Sequence, residues 1–460
     1  MNLRSRLGTK DFYKMMLGIA VPMMIQNGLT NFVNLLDNLM IGRVGTNAIS
    51  GIAIANQLVF IFFLLMFGAT SGVGIFSAQF YGKGDVKGLR DTFRFKLIMN
   101  TVIACISIVV FAVLAPTLVS LFLEGEGSAE DAAETLAVGV SYLKIQLVSL
   151  VPIGVSYAYA GTLRDTGHTK VPMLASIAAI FVNLIGNALL IYGLFGLPAL
   201  GADGASIATV ISRFVEMGVL IIYTGTHGSF HKFIIGAFAD FRVPLYLCRK
   251  FVLKSLPLMA NETLWALGMA VLNQSYSYRS LSAVAAVSIE TTIFNVMSVA
   301  FIAMGEAGGI VVGQILGSGD VDKAKDHAIK MRDFTVFCAV MFGVFMLIIS
   351  PFFPRFYNVT DEVRSLASTL IFITGLIMPV IAFTHASYFI IRAGGNTLIT
   401  FIFDCGYTWF IVVPLAWILS RKTGVSVPVM MFTVQWAEII KCIMGEVMVR
   451  SGIWAKNIVK

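Results

Sequence analysis

The sequence predicts an all-α polytopic membrane protein of twelve transmembrane helices, built as two parallel six-helix repeats. Three observations carry this. Of 460 residues, 57% are hydrophobic and only 13% charged, against roughly 25% charged in soluble domains. The apolar residues gather into twelve runs of the length that crosses a bilayer core. Motifs in the first half recur in the second at a fixed offset. Helices rather than strands follow from the run lengths and from the need to satisfy every backbone amide and carbonyl within lipid.

In chain order the runs lie near 15–41, 50–80, 95–121, 135–161, 171–195, 204–225, 251–276, 284–316, 331–353, 366–391, 397–419 and 426–449. The basic opening "MNLRSRLGTKDFYK" precedes an apolar run too long for a secretory leader and without a small-residue cleavage site, so a retained first helix is expected. One set of connections holds Arg4, Arg6, Lys10 and Lys14, then Lys83, Lys87, Arg90 and Arg94, then Lys232, Arg242, Arg249, Lys250 and Lys254, then Lys323, Lys325, Lys330 and Arg332. The opposite set holds only Arg43, Arg279, Arg355, Arg364, Arg421 and Lys422. The positive-inside rule then puts both termini in the cytoplasm of a multi-pass protein of the cell membrane. The net charge of +8 belongs to that asymmetry, so no nucleic-acid partner is expected. The acidic stretch "EGEGSAEDAAE" (124–134) falls outside as a solvated loop. The five cysteines are dispersed without a metal or disulfide pattern.

The repeat is explicit. "AQFYGKGDVKGLRD" (78–91) after the second run answers "GQILGSGDVDKAKD" (313–326) after the eighth, and Pro22/Pro257 and Pro116/Pro351 keep the same offset of 235. "RDTGHTK" (164–170) answers "RAGGNTL" (392–398) at 228. Six is even, so both halves enter the membrane from the same side and the repeats are parallel. Transporters built this way place substrate between the halves and rock one against the other. The basic stretch 227–250 links the halves and has apolar residues enough to lie on the membrane surface. The glycine loops lack G-x-x-x-x-G-K-[ST] and read as turns, with Asp85 and Asp320 capping the helices that follow.

A few ionisable residues fall inside the runs. Asp37 is the sole one between Met15 and Gly42. A charge in mid-helix costs about 2.5–3.5 kcal/mol even on lenient insertion scales. Two readings stand: an acid that meets water at the outer interface, or a cavity acid that binds H+ or Na+. Asn31, Asn34 and Asn38 add a polar stripe at i, i+3 and i+7, which favours a cavity. Glu262 lies nearer mid-depth and either pairs with a neighbouring helix or binds an ion. His385 and Asp404 sit at matching distances from the turn near Gly394, so they share a depth as a fixed clasp or a proton relay. Glu290 and Glu306 read as interhelical hydrogen-bonding groups or relay acids, with small neighbours in "MGEAGG" allowing close helix approach. Arg213/Glu216 and Glu438/Lys441, each three apart, are expected to neutralise themselves.

The residues together resemble the multidrug and toxic compound extrusion (MATE) transporters, in a superfamily that also holds lipid-linked oligosaccharide flippases. The resemblance rests on Asp37 before "IGRVG", the paired "QxxGxGD" loops, "GTLRDTGHTK" and "NLIGNALLIYGL...LGADGASIATVISR" (183–213), and covers nearly the whole chain. It implies a V-shaped fold with an N-lobe over 1–226, a linker over 227–250 and a C-lobe over 251–460. It also implies antiport: small amphipathic, cationic compounds leave while H+ or Na+ enters, with no cofactor. Asp37 matches the first-helix acid, Glu262 the seventh-helix acid of the NorM-like branch, and Asn183 an asparagine of the fifth helix. Asn187 stands where the DinF-like branch has a second carboxylate, and the tenth-helix acid of NorM-like proteins has no counterpart.

The expected function is a monomeric secondary exporter coupled through Asp37 and Glu262, with Asn34, Asn183, Asn187, His385, Asp404, Glu290 and Glu306 in support and a transient Na+ near Asp37 as one form of coupling. The rivals are a lipid-linked sugar flippase, which needs cavity-facing Arg or Lys for a pyrophosphate, and a narrow metabolite exporter. A channel would need a repeated filter loop. No nucleophile–base constellation suggests an enzyme.

Overall fold

The computed structural model describes residues 8–41, 46–123 and 129–460, without the side chains at 34, 35, 38, 39, 46, 47 and 129. Arg4, Arg6, Arg43 and residues 124–128 of the acidic stretch therefore lie outside the described residues, as do the side chains of Asn34 and Asn38. The described residues form helices and connections, with no strand among them. In order come α1 (Lys10–Ile41), α2 (Thr46–Lys83), α3 (Val86–Ser120), α4 (Ala129–Asp165), α5 (Lys170–Tyr192), α6 (Gly201–Thr226), α7 (Leu245–Ser277), α8 (Leu281–Ser318), α9 (Val321–Ile349) and α10 (Asp361–Ala393). Two interrupted helices, α11 (Thr397–Lys422) and α12 (Val427–Ser451), complete the second six.

Eleven of these are long and apolar enough to cross a membrane. The exception is α7, which at 33 residues has the length but carries Pro257, Asn261, Glu262, Thr263 and Gln274 along it. A helix with so much polar surface is stable in a bilayer only where protein or a wet cavity covers that surface.

The repeated turns have repeated geometry. Gly84 (φ 77°) and Gly319 (φ 94°) close the matching loops after α2 and α8 in the left-handed region, where a side chain is costly. Gly167 (φ 82°) and Gly395 (φ 78°) do the same in the second motif pair. Asp320 caps α9 as expected, its Oδ1 accepting from the Lys323 amide at 3.0 Å.

The chain divides into two compact units. The first comprises residues 1–24, 78–85 and 256–460. Its core includes Met16, Ala20, Ala307, Val311, Leu316, Met331, Phe403 and Trp454, with a second cluster around Ile289, Phe301, Leu370 and Met430. In it α10 runs along α8 and α9. The matching turn motifs pack on each other here: a Cβ on Gly82 would meet the Gln314 carbonyl, and one on Gly317 the Gln79 carbonyl. Residues 452–460 cross the same region. Gln79 Nε2 donates to the carbonyls of Ala393 and Lys456, both at 3.1 Å, its Oε1 accepts from the Ile458 amide at 2.8 Å, and Lys83 Nζ donates to the Val459 carbonyl at 2.7 Å.

The second unit comprises residues 25–77 and 86–255. Ile52, Phe62, Met66, Leu143, Leu150 and Val119 form its core. The connection after α6 is pinned by Arg94, whose Nε donates to Ala237 O (2.8 Å) and whose guanidinium also reaches Gly236 O (2.7 Å). It turns His231, Phe233 and Ala237 inward and leaves Phe230, Ile235 and Phe238 exposed.

Candidate functional site

In the second unit, α1, α5 and α6 bring together the polar residues singled out around Asp37. Asn187 on α5 donates from Nδ2 to Asp37 Oδ1 at 2.7 Å. Asn183 lies one turn earlier on the same face. Its amide is satisfied at both ends when its oxygen accepts from Thr209 Oγ1 of α6 (3.1 Å) and its nitrogen lies 3.2 Å from both Asp37 oxygens. The carboxylate is thus bonded by neutral amides from a buried asparagine pair. The Oδ1 of Asn187 is buried and, among the described residues, without a hydrogen-bond partner. Tyr192 fastens the end of α5 to α1 by donating to the Met40 carbonyl at 2.9 Å.

One turn further along α6 from Thr209, the Arg213–Glu216 pair forms as expected, at 2.9 Å. Sequence reasoning missed a second deep pair, Lys96–Asp165, at 2.5 Å with the lysine side chain fully buried. Lys96 sits at the basic start of α3, so it reads as a surface residue until the fold closes over it.

In the first unit, α7, α10, α11 and α12 assemble a different cluster. Tyr388 donates to Glu262 Oε1 at 3.0 Å. The neighbouring Asn261 donates to Asp404 Oδ2 at 2.9 Å, and Lys441 Nζ to Asp404 Oδ1 at 2.7 Å. Two corrections follow. Asp404 is clasped by Lys441 and Asn261, while His385 donates from Nδ1 to the Ile381 carbonyl of its own helix at 3.0 Å. Lys441 reaches α11 instead of Glu438 on its own helix. Shared depth was legible, but the direction around each helix was not, and a long permanent cation takes the carboxylate ahead of an imidazole. Around Asp404 the backbone of α11 widens into π-turns over Ile402–Gly406 and Thr408–Val412, a local unwinding often found where a helix serves a site.

Glu290 forms a third group. It accepts from Thr374 Oγ1 of α10 at 2.7 Å, and Thr374 in turn accepts from Gln435 Nε2 of α12 at 2.9 Å. Glu306 is half-buried on α8. Its glycine neighbours allow the approach expected of them, with Gly309 facing the Phe389 carbonyl of α10. Among the described residues, no group of three His, Cys, Asp or Glu side chains is placed to hold a metal.

The family model described as MatE matches residues 22–189 and 257–418. The chain is 23% identical over 422 residues to the probable multidrug resistance protein NorM of Thermotoga maritima, covering 89% of this chain and 86% of that one. It is 22% identical over 444 residues to the uncharacterized transporter YisQ of Bacillus subtilis, covering 95% and 94%. Among solved structures it resembles an outward-facing multidrug resistance MATE family transporter of the MOP superfamily, with TM-score 0.86, 17% identity and 98% of each chain covered. A MOP superfamily transporter from Pyrococcus furiosus, described as having a binding pocket of reversed polarity, superposes with TM-score 0.84 at 16% identity over 98% of each chain. With the family model matched in both halves, at the stretches that carry the Asp37 and Glu262 clusters, the chain belongs to the MatE family of multi-pass membrane proteins.

Proposed function

We propose that this protein is a secondary active exporter of small amphipathic, cationic compounds, xenobiotics among them. In this reading H+ or Na+ enters in exchange, and the two six-helix halves alternate access. It works as a monomer in the cell membrane with both termini in the cytoplasm. The multidrug resistance names of its relatives support small xenobiotics as substrates. The observation that carries the mechanism is the bonding of Asp37: neutral amides orient it, whereas Asp404 is clamped by a lysine. An acid held by amides keeps its charge available for a cation that comes and goes. The unpartnered Asn187 carbonyl beside it suits a hard cation as a second oxygen ligand. Glu262, bonded by the Tyr388 hydroxyl, is the corresponding acid of the other half. Asp404 with Lys441 is a fixed anchor, and Glu290, Glu306 and His385 support helix contacts elsewhere in the same half.

The test uses vesicles loaded with a fluorescent organic cation, with a proton gradient, a Na+ gradient or neither. The wild type is expected to export with one gradient. Asp37→Asn is expected to reach the membrane in normal amount and lose gradient-driven export. Normal export by Asp37→Asn would make Asp37 an interfacial residue and overturn the reading.

A further inference from the structure

Arg213 is the strongest unexplained charge near the Asp37 cluster. It lies four residues from Thr209 on α6, so its backbone is about 6 Å along the helix from the group that bonds Asn183, within the span of an arginine side chain. In this structure one guanidinium nitrogen rests on Glu216 at 2.9 Å, the guanidinium carbon sits 5.7 Å from the Phe63 ring centroid, and the Nε is buried with no hydrogen-bond partner among the described residues. The arginine is therefore only partly engaged.

Glu216, by contrast, is fixed from behind. Ser176 donates to its Oε1 at 2.7 Å, Gln26 Nε2 donates to Ser176 at 2.7 Å, and Arg164 donates to Gln26 at 3.1 Å. Arg213 thus bonds one carboxylate, which is held by a chain of side chains from four helices, and lies one helical turn from the group that bonds Asn183 beside the other, Asp37, which is held by amides. The titratable groups facing this space are Asp37 on α1, Arg213 and Glu216 on α6, and Tyr142 and Arg164 on α4. Lys96 is closed on Asp165 and takes no part.

We propose that Arg213 is a tethered counter-cation for Asp37, seated on Glu216 while Asp37 carries its ion and moving onto Asp37 as that ion leaves. This rests on the reading of Asp37 as the coupling acid. The arrangement lets the acid release its ion inside the membrane without standing there as a bare charge, a state that lipid surroundings make expensive. Arg213 is a positioning residue: it competes for the carboxylate and touches neither ion nor substrate.

The experiment measures the coupling-ion concentration that gives half-maximal export from reconstituted vesicles, for wild type, Arg213→Gln, Glu216→Gln, the double variant and Asp37→Asn. Removing the competitor in Arg213→Gln is expected to lower that concentration about tenfold, the scale of one charge–charge interaction at an effective dielectric of about 20. Glu216→Gln frees the arginine for Asp37 and is expected to raise it about tenfold. The double variant is expected to behave like Arg213→Gln, and Arg213→Lys like the wild type. A merely structural pair would reduce the amount of folded protein or the maximal rate without opposite shifts. Shifts in one direction, or none, overturn the proposal. Should a single variant fold poorly, opposite ordering of the double variant and Arg213→Lys decides in the same way. Unaltered ion dependence in Asp37→Asn instead overturns the underlying reading of Asp37, and the counter-cation role with it.

Discussion

Lys441 is 8% exposed along its side chain and ends on Asp404, with the rings of Phe403 and Tyr407 each 5.4 Å from its ammonium. Removing one member of a buried pair strands the other charge, at a cost of about 3–5 kcal/mol, whereas replacing both by apolar groups is often neutral. Lys441→Met is therefore expected to lower the melting temperature in detergent markedly, and Lys441→Met with Asp404→Leu to recover most of the loss. A double variant as unstable as the single would show that Asp404 serves more than Lys441. At this scale the Asp37 cluster was readable because a lone acid in an apolar run has few explanations, and Asn183 and Asn187 fall one turn apart on one helix. The partner of Asp404 was not readable, since residues three apart such as Glu438 and Lys441 look paired on paper while the break near Ala437 and the π-turns of α11 redirect the lysine.

Among the elements, the connection after α6 makes a pH prediction. Burial, with His168 and His227 beside it, pushes the imidazole of His231 down to about 4, and burial lowers His168 as well. Unfolded, His231 takes a proton near its ordinary value of 6.5. The unfolded chain therefore binds more protons between pH 6.5 and 4, and stability present above 6.5 is lost as pH falls through that window. His231→Phe is expected to flatten this part of the melting-temperature profile relative to wild type; an unchanged slope would place the acid sensitivity elsewhere. The crossing of α2 and α8 gives a steric prediction. Gly82→Ala or Gly317→Ala drives a methyl into a backbone carbonyl that has no room to yield, an overpacking cost of about 1–3 kcal/mol. Gly28→Ala on α1, where a methyl meets open space, is the matched control and should be neutral or slightly stabilising. Melting of the three variants side by side checks both halves of the statement. The helices themselves were legible from run length alone, with ends extended by the polar turns that hydropathy misses. What hydropathy could not supply was the reason α7 tolerates Asn261 and Glu262, which is the aspartate and tyrosine of neighbouring helices that bond them.

For the whole molecule, the distribution of Lys and Arg predicts which ends face the cytoplasm. With the five native cysteines replaced, a cysteine at Lys460 is expected to react with an impermeant maleimide only after the cytoplasmic side is opened, and one at Asn358 in intact cells. The reverse pattern would invert the topology and the direction of transport proposed for it. The duplication was the most legible global feature, because glycine and aspartate turns resist drift while apolar residues exchange freely. Its consequence reaches further than the fold. Gly82 faces the Gln314 carbonyl and Gly317 faces the Gln79 carbonyl, so the same two residues of each repeat meet in exchanged roles. That is the pattern of an isologous interface, the kind two identical subunits make about a twofold axis. Here both partners are spelled out in a single polypeptide, so each has been free to acquire its own neighbours. Both meet the crossing segment 452–460, but through different partners: Gln79 and Lys83 donate to the carbonyls of Lys456 and Val459, whereas in the other copy the carbonyl of Leu316 accepts from Asn457. A homodimer cannot make that distinction, and a fused one is no longer bound to treat its two halves alike.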